Sequence, residues 1–159
     1  DYVDNDIPNV EVRPNMVFAV ALDFSPLEKV QQKSVLDFCT RELLTTKGLR
    51  SLTPKSGAYN PMYVGTQNQR DWAYHQGTAW PWLGCFYMEA MLKVHKRSRL
   101  SFIYRQMVGF EDEMYYHAIG TMPELFDGNP PFSGRGACAF AMNVAALLRM
   151  TKLLESYTY

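Results

Sequence analysis

The chain has 159 residues, 47% hydrophobic and 20% charged, the composition of one folded domain with a real core, and this excludes a disordered tail. Its 16 basic and 16 acidic side chains cancel to a formal net charge of +0. No basic field therefore exists to attract nucleic acid or anionic lipid, and no apolar run is long enough to span a bilayer, so neither nucleic acid nor membrane is expected as a partner.

The acidic start, Asp1-Tyr2-Val3-Asp4, does not read as a signal peptide. It lacks an initiator Met and is expected to be a processed or trimmed start to an extended lead-in. Residues 15–22 form a short apolar stretch that predicts a buried helix. Ser25-Pro26-Leu27-Glu28 predicts a helix start, with Ser25 capping, Pro26 in the first turn and Glu28 completing a capping box. Leu27, Val30, Val35, Phe38 and Cys39 follow at helical spacing, and Gly48 is the expected stop.

From residue 49 to about 80 no period holds, and Pro, Gly, Asn, Ser and Gln are scattered through the segment. Its embedded aromatics argue for an ordered, site-forming loop rather than disorder. Helices are predicted over 82–96, where His95, Lys96 and Arg97 suit the negative C-terminal end, and over 100–120. In the second of these, Leu100, Ile103, Met107, Phe110, Met114 and His117 step by three or four, and Gly120 ends the run. Asp127-Gly128 and Pro130-Pro131 mark a second loop over 121–135, and a last helix is predicted over 137–155. No alternating strand of useful length is found. The expectation is an all-α domain of about five helices, a single region over 1–159, with two chemically rich loops.

Cys39, Cys85 and Cys138 are isolated and odd in number, without zinc spacing. Free thiols of this kind predict a reducing compartment, hence a cytoplasmic protein, with no metal and no other cofactor. His95 reads as a solvated helix-end residue, and His117 as a core histidine on an apolar face.

The first loop places Arg70, Asp71, His75 and Gln76 among Trp72, Tyr74, Trp80 and Trp82. Hydroxyl-rich ligands need this mixture: polar groups bond the hydroxyls and aromatic faces cover the apolar ring face. An aromatic core with satisfied polar partners would have the same composition. In the second loop Glu124 and Asp127 lie three residues apart in a proline-bounded turn. Such a turn can hold a carboxylate rigidly above a pocket, or simply expose it.

Taken together, Arg13-Pro14-Asn15, the run Arg-Asp-Trp-Ala-Tyr-His-Gln-Gly-Thr-Ala-Trp-Pro-Trp at 70–82, and Glu-Leu-Phe-Asp-Gly-Asn-Pro-Pro at 124–131 resemble the glucosidase domain of glycogen debranching enzymes. The resemblance runs in order from about Arg13 to Met150. It implies about the C-terminal half of an (α/α)6 toroid of glucoamylase-like type. It implies inverting hydrolysis of the α-1,6-linked glucose at a branch stub, with Glu124 as general base. Arg13, Asn15, Arg70, Asp71, Tyr74, His75, Gln76, Trp80, Trp82 and Asp127 would then bind substrate, a glycogen or α-glucan oligosaccharide. An inverting glycosidase also needs a protonated acid, with the two carboxyl groups roughly 6.5–9.5 Å apart. In the family this is an Asp on an earlier segment, which has no counterpart here; Asp71 is the nearest acidic alternative. The partner would be the missing N-terminal half of the barrel or another copy of the chain, and the isolated chain is expected to be inactive. The chain departs from the family at Phe140 and Met142, where Gln and Trp are usual, and at Phe132, where a His often follows the Pro-Pro pair.

Two other readings remain open at this level. One is a non-catalytic carbohydrate-binding or structural half-domain. The other is a sugar epimerase or isomerase on an α/α barrel, which requires His75 and His117 to face one pocket.

Overall fold

The computed structural model describes residues 2–3 and 7–158. The expectations made of Asp1 and Asp4 lie outside the described residues. A small antiparallel pair, β1 (Tyr2–Val3) with β2 (Ile7–Pro8), precedes the main body. A single turn of 3-10 helix (Pro14–Val17), entered through Pro14, leads into α1 (Phe18–Ala21), matching the predicted buried helix.

The next helix starts later than predicted. α2 spans Lys29–Phe38, and Glu28 is its N-cap, with the Glu28 N–H bonded to Gln31 Oε1 at 2.8 Å. The capping box is Glu28/Gln31, while Ser25 closes its own turn by accepting the Leu27 N–H at 3.2 Å. α2 widens into a π-helical turn (Cys39–Leu43) and ends there, before Gly48.

The domain is mainly helical as expected, but it is not purely α: a five-stranded antiparallel sheet built from very short strands lies among the helices. Its order is β3 (Leu44–Thr45), β4 (Gly48–Arg50), β5 (Ala79–Trp80), β6 (Leu125–Phe126) and β7 (Gly134–Arg135). Gly48 sits in the β3–β4 turn at φ +116, and a Cβ there would lie 2.5 Å from the Trp80 carbonyl carbon. Gly84 meets it from the helix side, its own added Cβ falling 2.8 Å from Gly48 Cα. The two glycines let helix and sheet approach backbone to backbone.

That helix is α4 (Pro81–His95), close to prediction and the centre of the molecule. It is buried on most sides, packing against α1, α2, β4 and α7 (Ala141–Thr158). Its Tyr87, Met88, Ala90 and Leu92 join Leu36, Leu43, Leu49, Leu125, Phe126 and Met150 in one core cluster.

The continuous helix predicted over 100–120 breaks. α5 (Leu100–Val108) stops short and α6 covers only Glu113–Tyr116. Gly109 is a poor helix residue, and Lys47 Nζ takes its carbonyl at 2.8 Å while pairing with Glu113 at 2.8 Å. His117 is consequently exposed, with its Nε2 toward Gly134, and is not the core histidine expected. The last helix begins at Ala141 rather than 137, because the Ala137 backbone is bonded to Glu124 instead.

Candidate active site

The sheet is what assembles the site. β5 closes the first motif and β6 directly follows Glu124, and Ala79 pairs with Phe126. Pairing therefore carries the aromatic loop and the acidic loop to one place, although they lie about fifty residues apart in the chain. The loop before β5 is less irregular than predicted. It contains α3 (Gln67–Ala73), capped by Thr66, whose N–H bonds Gln69 Oε1 at 2.8 Å.

A cavity of about 430 Å³ opens at this point, within the range of small-molecule sites. Arg13, Asn15, Tyr74, His75, Trp80 and Trp82 line it, together with Pro14, Ser51, Leu83, Phe140 and Met142. Arg13 is a clamp as much as a wall. Its guanidinium donates to the His75 carbonyl at 2.8 Å, to Gln76 Oε1 at 2.9 Å and to Glu11 Oε2 at 2.9 Å. Bonds from Ser56 and Arg13 hold the Glu11 carboxyl below the usual carboxylate range. Gln76 belongs to this clamp rather than to the cavity wall.

The aromatics interlock. Tyr74 meets Trp80 edge-on at 4.8 Å and His75 edge-on at 4.8 Å, and His75 lies parallel over Trp80 at 6.1 Å. Trp80 is only 5% exposed and its Nε1 donates to Thr78 Oγ1 at 3.0 Å, so little of its ring is available to a ligand. Trp82 stacks on Phe18 at 6.0 Å, and its Nε1 is buried with no acceptor among the described residues.

Glu124 itself is not among the residues lining the cavity. It reaches the wall through Tyr74, whose hydroxyl donates to Glu124 Oε1 in a short hydrogen bond. Glu124 Oε2 accepts the Ala137 N–H at 3.0 Å. Burial, and next the adjacent carboxylate, push the Tyr74 phenol well above its ordinary range, so it stays protonated and donates.

Three predicted binding residues lie elsewhere. Asp127 is fully buried, and Arg135 Nε and Nη2 grip its Oδ2 at 2.9 and 2.8 Å while the Tyr63 N–H bonds its Oδ1 at 2.8 Å. Every oxygen is engaged inside the fold, so Asp127 locks the acidic loop and has no face for a sugar. Arg70 turns back to the Gly65 carbonyl at 2.7 Å, and exposed Asp71 accepts from Gln67 at 3.2 Å one helical turn away. Neither lines the cavity. Among the described residues no carboxylate does.

Ser51, Leu83, Phe140 and Met142 were not predicted as site residues. Only the last two carried a signal, as departures from the family pattern. Among the described residues, no three His, Cys, Asp or Glu side chains cluster as a metal site, and no helix is long and apolar enough to cross a membrane.

Residues 1–149 match the family model described as amylo-alpha-1,6-glucosidase. The chain belongs to the amylo-alpha-1,6-glucosidase family. It is also 26% identical over 136 residues to the glycogen debranching enzyme of Saccharomyces cerevisiae, a match covering 74% of this chain. The chain spans only 8% of that relative's length.

Proposed function

We propose that this chain contributes the base-bearing part of a glycosidase site that removes α-1,6-linked glucose from glycogen or a related α-glucan, with inversion. The observation that carries the reading is Glu124, a carboxylate fixed by Ala137 and by Tyr74, the residue through which it meets the wall of the aromatic cavity. A carboxylate offers about four acceptor positions, so those two bonds leave room for a water. Glu124 takes a proton from that water as its oxygen bonds the anomeric carbon. The glycosidic C–O bond breaks with its electrons on the leaving oxygen, which receives a proton from an acid supplied outside this chain.

Two supports come from elsewhere in the chain and its relatives. Among the described residues no carboxylate lines the cavity as a candidate acid, and the yeast relative is far longer than the chain. The helices here would then form about the C-terminal half of an (α/α)6 toroid, completed by further chain or by a second copy, in a cytoplasmic protein. The epimerase reading loses its premise, because His75 lines the cavity and His117 does not.

The test is Glu124→Gln in the full-length polypeptide, with α-1,6-branched glucan as substrate. Turnover should fall by about 10²–10⁴-fold, with glucose binding retained in calorimetry. Near-normal turnover would refute the base assignment.

A further inference from the structure

The bonds around Glu124 are more numerous than a turn acid requires. Its N–H donates to the Ala137 carbonyl at 2.8 Å. Asn143, fully buried on α7, donates through Nδ2 to the Glu124 carbonyl at 2.9 Å and the Pro123 carbonyl at 2.7 Å. The same side chain accepts the Trp82 N–H at 3.2 Å, tying the acidic loop to the start of α4. Tyr74 and Ala137 then fix the two carboxylate oxygens.

Space for this arrangement comes from Gly136. It adopts φ +74, and a Cβ added there would lie 2.9 Å from Glu124 Cβ and closer still to Oε2. Tyr74 is itself braced by Trp80, His75 and Tyr63, the last at 5.9 Å, and Thr78 Oγ1 bonds its carbonyl at 2.8 Å. Its one hydroxyl proton is committed to Glu124 and is not free for a sugar hydroxyl.

We infer that Tyr74 is a positioning residue that acts through Glu124 rather than on the sugar, with Gly136 and Asn143 holding the carboxylate within its reach. This rests on Glu124 being the base. A base displaced by even about an ångström loses a large share of its rate, which is why such support belongs beside a reacting group.

The experiment is a double-mutant cycle in the full-length polypeptide, with Tyr74→Phe, Glu124→Gln and the double variant acting on α-glucosyl fluoride. Tyr74→Phe keeps the braced ring and should lower kcat on the order of 10- to 100-fold, with KM within about twofold. In the Glu124→Gln background the same change should cost almost nothing. Gly136→Ala should resemble Tyr74→Phe.

A raised KM with unchanged kcat would overturn the inference and make Tyr74 a sugar contact. So would a double variant slower than Glu124→Gln by the full Tyr74→Phe factor. Near-normal turnover in Glu124→Gln would instead sink the base assignment, and the positioning role with it.

A readout independent of turnover is the Tyr74 phenol titration, followed by NMR of ring-labelled tyrosine. The titratable groups facing it are Glu124, Tyr63 and neighbouring His75. In Glu124→Gln the phenol should titrate at lower pH than in the parent protein, and an unchanged titration would rule out the contact.

Discussion

Replacing Asp127 by Asn should destabilise the fold rather than weaken sugar binding. The substitution keeps the side chain's volume and an acceptor for the Tyr63 N–H, but it removes the charge that Arg135 grips through two donors. Breaking one side of a buried ion pair costs about 3–5 kcal/mol. Arg135 is 34% exposed and can swing toward water, which places the loss near the low end, about 3 kcal/mol. For a chain of this size that corresponds to a melting point lower by roughly 6–12 °C. Urea unfolding followed by circular dichroism measures the loss directly. A loss below about 1 kcal/mol, the range of a solvated pair, would refute the argument, because Asp127 would then be free to meet a ligand.

Glu42 is 6% exposed and bonded to Lys55, Arg41 and Thr53, and these partners, Lys55 foremost, hold its carboxyl down at about 2. Its folded value lies below the unfolded one, so its contribution to stability is present above the ordinary Glu range and fades as pH falls from about 4.5 toward 2. Glu42→Gln should flatten that part of a stability-against-pH curve, and an unaltered slope would contradict it. Gly48→Ala should cost at least about 2 kcal/mol in urea unfolding, from left-handed backbone and the Trp80 carbonyl together. Of the three thiols, only exposed Cys138 should react quickly with a disulfide reagent in the folded chain, since burial pushes Cys39 and Cys85 up to about 12. Rapid modification of two or three thiols would show that the core opens.

The residues that announced themselves in the sequence were those whose signal is local. The basic run at His95, Lys96 and Arg97 marked the end of the helix predicted over 82–96, which matches α4 almost to the residue. Glu124 and the 70–82 motif stood out by composition and by resemblance. The sheet was illegible because its strands are two or three residues long, too short for alternation to show. The break at Gly109 depends on Lys47, 62 positions away, and periodicity carries no trace of it. Asp127 looked like a site acid because its half-buried partner, Arg135, cannot be told from a surface arginine by spacing alone. Thr66 and Gln69 did carry a legible capping signal for α3, which the glycines and polar residues around them masked.

The measurement that bears most directly on Glu124 as an inverting base is chemical rescue in the full-length polypeptide. Glu124→Ala leaves a space on the side from which water attacks. With α-glucosyl fluoride and added azide, the anion should fill that space and bond the anomeric carbon as fluoride departs. Turnover should recover with azide concentration, and NMR should show a glucosyl azide of inverted, β configuration. Recovery without an azide adduct, or an adduct of retained configuration, would contradict Glu124 as the base.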